Sequence, residues 1–190
     1  MRNFRFILLP AIALIMASSC TSKQEKMENR MKSFIQSYEE KVIPLYKEAN
    51  LASWNANISG KDEDFAKSEK ASFELARVYT DTVAFAELKA IKESGEVKDS
   101  LLLRQIELLY NSYLGGQVDT ALIAKQINME TALSKKYANF RVKINGKEVS
   151  DNAVEDILRN SVNSKELQST WEEAKMIGPV VADDIVALVK

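Results

Sequence analysis

Apolar residues recur at intervals of three and four along almost the whole chain, and only three prolines and six glycines interrupt them in 190 residues. That spacing puts the apolar side chains on one side of a 3.6-residue turn, so the chain must bury helical stripes against one another. The first stripe runs from Gln24 to Leu51 through Met27, Met31, Phe34, Ile35, Tyr38, Val42, Leu45, Tyr46 and Ala49. Pro44 lies inside it and is predicted to kink the helix or mark a break. Trp54 and the polar stretch 55–60 read as a turn. A second long helix is predicted from Asp62 to Glu93, ended by Ser94-Gly95. A third starts at Asp99 or Ser100 and stops at Gly115-Gly116, and Asp119 is the N-cap of a fourth.

The period then changes. Phe140, Val142 and Ile144 alternate with Arg141 and Lys143, Asn145-Gly146 follows, and Lys147, Glu148 and Val149 continue. Alternation on both sides of Asn-Gly signals a β-hairpin. Ser150 and Asp151 lead into a fifth helix, and Asn163 or Ser164 caps a sixth, which Gly178-Pro179 interrupts or bends. Val180, Val181, Ile185, Leu188 and Val189 resume an apolar stripe that reads as cut at the C-terminal end of the chain. The fold class is therefore all-α, mainly helical, with one small β-hairpin near 140–149.

The formal net charge of -1 excludes the basic excess of a typical nucleic-acid binder. Paired carboxylates occur at Glu39-Glu40, Asp62-Glu63-Asp64, Glu172-Glu173 and Asp183-Asp184. They serve as acid and base only with shifted pKa values in a cleft, and on charged helix faces they read as solvated. No calcium-loop spacing follows Asp62, and Gly115-Gly116 lacks the lysine of a phosphate loop. There is no histidine to activate the single cysteine, Cys20, as a nucleophile. No catalytic, metal-binding or cofactor-binding residue is identified in the chain.

Residues 1–19 read as a signal peptide. Arg2 and Arg5 form its basic start, and the apolar run Phe6 to Met16 is too short to span a bilayer. Ala17-Ser18-Ser19 then leads to Cys20, which resembles the lipidation site of bacterial lipoproteins, although Ala17 stands where leucine is usual. The competing reading is an ordinary signal with a chance cysteine. Lipidation at Cys20 implies a bacterial cell-envelope protein held to the membrane by its lipid, with residues 20–28 as a polar tether and 29–190 as the folded segment.

Four segments, in order, carry a further resemblance: Leu108 to Val118 (LLYNSYLGGQV), the hairpin Phe140 to Val149, the helix Asp151 to Ser161, and Trp171 to Pro179 (WEEAKMIGP). Together they resemble the amino-terminal part of bacterial zinc peptidases of the angiotensin-converting-enzyme (M2) family, over about Gln24 to Lys190. The resemblance implies a partial domain of an ellipsoidal helical metallopeptidase, split by a deep cleft, with the first helices as a lid over it. Members of the family hold zinc with a His-Glu-x-x-His helix, which a chain without histidine does not contain. Zinc belongs to the complete family member, and this chain is expected to be inactive alone unless a second polypeptide brings the catalytic half. Lys175 falls near an arginine that helps bind chloride in animal members, and reads as a solvated helix lysine. The alternative is a stand-alone, non-catalytic helical lipoprotein that binds a peptide or an envelope partner.

Overall fold

The computed structural model describes residues 22–190, so the signal segment and Cys20 lie outside the described residues. The chain is all-α with a single two-stranded antiparallel hairpin among the described residues. The helices are α1 (Lys23–Ser59), α2 (Asp62–Val78), α3 (Thr82–Ser94), α4 (Ser100–Gly116) and α5 (Thr120–Asn139), then α6 (Asp151–Asn160), α7 (Ser164–Ala174) and α8 (Ile177–Val189). Strands β1 (Val142–Ile144) and β2 (Lys147–Val149) separate α5 from α6. The chain divides into two units, one of residues up to Glu40 with Asp81–Gln117, the other of Lys41–Thr80 with Val118–Lys190.

In the first unit the beginning of α1 joins α3 and α4. The Ser22 hydroxyl accepts from Glu25 N–H at 3.0 Å and starts α1 five residues inside the segment expected as a tether to Glu28. That segment is the first turns of a helix because Glu28 has a partner: its carboxylate accepts from the backbone N–H groups of Lys98 (3.1 Å) and Asp99 (3.2 Å), just ahead of α4. Arg30 forms two parallel bonds to Glu87 on α3, at 2.9 and 2.6 Å. Met31, Leu88, Ile91, Val97, Leu102, Ile106 and Tyr113 are buried. Phe34 meets Tyr113 edge-on at 5.9 Å, and Phe85 meets Tyr110 at 5.4 Å. Asp99 caps α4 through Leu101 and Leu102, as its position ahead of an apolar run predicts.

In the second unit α2 packs on α5, α5 on α8, α6 on α7, and α7 on β1. Ala49, Ala56, Phe65, Ala71, Ile127, Val142, Val154 and Val181 are buried there. Asn145 and Gly146 have φ of 53° and 78°, the two left-handed residues of a tight hairpin turn, and pair Val142 with Val149. The alternation expected from Phe140 is confined to three residues per strand. Asp119, Ser150 and Asn163 cap α5, α6 and α7 as read from the sequence.

Of the kink or break expected at Pro44, the break is absent, because Pro44 and Glu40, whose carbonyl loses its helical partner, both face solvent. Three other expectations need correction. Helix α1 runs through the stretch expected as a turn and ends at Ser59, since Ala56 is fully buried and holds those turns down. The helix expected from Asp62 to Glu93 is two helices. Thr80 bonds back to Arg77 O at 2.9 Å, and Asp81 accepts from Val83 and Ala84 at 3.0 and 2.9 Å, so local side chains end one helix and start the next. At the other end of the chain the break precedes Gly178-Pro179, which lie in the first turn of α8, where a proline costs no hydrogen bond.

Gly60 ends α1 at φ +66°, donating its N–H to Ala56 O at 2.9 Å. Asn139, at the end of α5, donates to Gly60 O at 3.1 Å, and a Cβ on Gly60 would stand 2.4 Å from the Asn139 Oδ1. Gly60→Ala is therefore expected to lower stability by roughly 1–3 kcal/mol, read as a lower urea midpoint at unchanged slope. Glu28 supplies a second test. The Lys98 N–H, and then the Gln24 side chain, hold its carboxyl below the usual glutamate range. Its stabilisation is fully present above that range and disappears as pH falls through the lowered value. In denaturation curves taken from about pH 7 to about pH 3, Glu28→Gln should lose part of the acid sensitivity of the parent chain. Parallel pH profiles for the two proteins contradict the capping role.

Candidate functional site

In each run of carboxylates at least one member is tied to a cation or an amide. Asp62 Oδ1 stands 2.7 Å from the Lys135 ammonium. Asp64 accepts from Lys67 at 2.9 Å and from the Ser59 hydroxyl at 2.7 Å. The Lys67 bond, followed by the Ser59 bond, holds the Asp64 carboxyl below its ordinary range, and Asp64 in turn pushes the Lys67 ammonium up. Asp184 pairs with Lys136. Glu40 and Glu172 accept from Gln36 and Gln168 one helical turn away, at 3.1 and 2.8 Å. Asp64, held below its ordinary range in this way, is not a proton donor near neutral pH. Lys175 lies over the Trp171 ring at 5.6 Å, a cation–π contact on the surface.

A zinc site needs three or four nitrogen, sulfur or carboxylate donors converging on one point. Among the described residues no group of three His, Cys, Asp or Glu side chains is so arranged, and histidine is missing from all 190 residues. The donor set does not fit that metal. Cys20, read as the lipidation site, lies outside the described residues, and among the described residues no helix is long and apolar enough to cross a membrane.

Two concave features of the second unit lie along α2 and α5. A groove of about 320 Å³ follows α2 and α5 past Ala66, Phe73, Ala124 and Ile127, with Glu69 on its rim accepting from Asn128 at 3.3 Å. A wider corner of about 540 Å³ is formed by Gly60, Asp62, Ala132, Lys135, Lys136 and Asn139. Its two lysines are matched by Asp62 and Asp184, so it holds no free excess of charge for an anion. No sequence motif marks either feature. Both arise because α2 and α5, some sixty residues apart in the chain, lie side by side.

The unit also leaves large apolar side chains in solvent. On the second part of α1, Ile43, Tyr46, Leu51, Trp54 and Ile58 stand on one side, Trp54 with 67% of its surface exposed. On α8, Val180, Val186 and Val189 are exposed too, the last by 78%, but they are spread around the helix and form no row. Scattered apolar residues are normal on a surface, whereas rows along a helix mark faces made for another apolar surface. Val181, buried on α8, is the residue that fixes this helix to its own unit.

Comparison with known proteins bears on the whole of this architecture. No solved structure matches the chain. Residues 25–184 match the family described as angiotensin-converting enzyme, peptidase M2. The matched span starts in the first turn of α1 and ends within α8, taking in both units and the hairpin. With nearly its entire described length inside that match, the chain belongs to the angiotensin-converting-enzyme family of M2 peptidases.

Proposed function

We propose that these residues are the lid and scaffold portion of a peptidyl-dipeptidase-like M2 metallopeptidase, and that the metal ligands and catalytic groups come from a further segment or a second polypeptide. Its support is a single pairing of facts: a family match over residues 25–184 in a chain without one histidine. At least one carboxylate of each run is engaged in a surface ion pair or amide bond, consistent with a supporting role. The apolar row on α1 and the exposed valines of α8 supply surface against which a further part of such a molecule can pack. On this reading the chain positions and covers, and it neither polarises a peptide carbonyl nor activates water.

The purified chain, incubated with zinc and a blocked tripeptide, should release no dipeptide above the buffer rate. Turnover that chelation abolishes and zinc restores sinks the proposal. A cooperative chain that stays inactive and shows no dye-binding apolar surface favours the stand-alone binding lipoprotein instead.

Anchoring is proposed to come from lipid on Cys20, with the envelope as the location. The chain expressed in a bacterium grown with labelled palmitate should carry the label in the membrane fraction, and Cys20→Ser should carry none. A soluble, unlabelled parent chain means that residues 1–19 act as an ordinary export signal.

A further inference from the structure

A third cleft in the second unit is lined by hydroxyl groups that have no protein partner. It has a volume of about 130 Å³ and lies between the end of α1, α2 and α5. Ser53 comes from α1, Ser68 and Ser72 from α2, and Thr131 and Ser134 from α5. Some helical hydroxyls elsewhere in the chain satisfy themselves on their own backbone, as Ser94 does on Ile91 O at 2.7 Å and Ser112 on Leu108 O at 3.0 Å, whereas the buried Thr170 hydroxyl has no partner. Among the described residues none of the five cleft hydroxyls bonds its own backbone or finds another side chain. Ser68 is the sharpest case, since it is only 9% exposed. Its hydroxyl is not sealed off and opens onto the cleft, so a group that enters the cleft can bond to it.

The rest of the lining narrows the chemistry. Phe65 and Ile127, both buried, supply apolar wall beside the hydroxyls. No lysine or arginine lines the cleft, which disfavours an anion. Glu130, the one charged residue there, accepts from Gln126 at 2.8 Å on one oxygen and leaves the other for an O–H donor. Hydroxyls that both donate and accept, next to apolar wall, match a molecule that alternates C–H and O–H groups. We propose that this cleft binds a small neutral polyol. The inference goes beyond the lid reading and does not depend on it.

The test is a nitrogen-15 NMR titration of the chain with erythritol. Saturable shifts are expected at the amides of Ser68, Ser72 and Thr131, and Ser68→Ala should weaken the affinity about tenfold, the equivalent of one lost hydrogen bond. If Ser68→Ala fails to fold by circular dichroism, Ser72→Ala, which is only half-buried, takes its place with the same expected weakening. Shifts that grow linearly without saturation, or an unchanged response in the folded variant, overturn the proposal and leave the cleft to water alone.

Discussion

A helix presents unpaired N–H groups at its start, and these must be met before it can pack against anything. In this chain the side chains that meet them also set the order of the fold. Asp81, Asp99, Asp119, Ser150 and Asn163 each accept from the first turn that follows. Glu28 does so at long range, reaching from α1 to the approach of α4 seventy residues away. A bond at the approach to one helix therefore holds another in place, and the buried cluster around Met31, Leu88 and Ile106 forms behind it.

Glycine and asparagine play the matching part at helix exits. Gly60 leaves α1 in the left-handed region, and Asn139 bonds both Gly60 O and Lys135 O, tying the end of α1 to the end of α5. The Asp62–Lys135 pair reinforces that corner. A corner so engaged is a structural joint. Its charges are matched and its polar groups bond within the chain, whereas the hydroxyls of the neighbouring cleft do not.

Membership of a peptidase family and the chemistry of these residues point to different levels of function. Hydrolysis by a metal-held water needs ligands of the imidazole type converging on one ion. A chain without histidine has no such group to offer, whatever its helices do. What it does offer is surface: a row of exposed apolar side chains on α1, concave ground between α2 and α5, and carboxylates such as Asp184 paired with a neighbouring lysine.

Helix starts at Asp99, Asp119, Ser150 and Asn163 and the turn at Asn145-Gly146 were legible in the sequence, because capping and tight turns act within four residues. The break at Asp81 was as local, but Thr80-Asp81-Thr82 lies between two stretches of matching apolar period, and the period masked it. The continuation of α1 past Trp54 was not legible, since it depends on the burial of Ala56. The sequence by itself determined the helical class, most helix starts, the hairpin turn and the absence of imidazole chemistry. Only the tertiary structure decided that α2 lies on α5 and α5 on α8, which apolar side chains stay uncovered, and that hydroxyls of three helices face one cleft. Those outcomes rest on shape and charge matching between residues some sixty positions apart, and no local pattern encodes them.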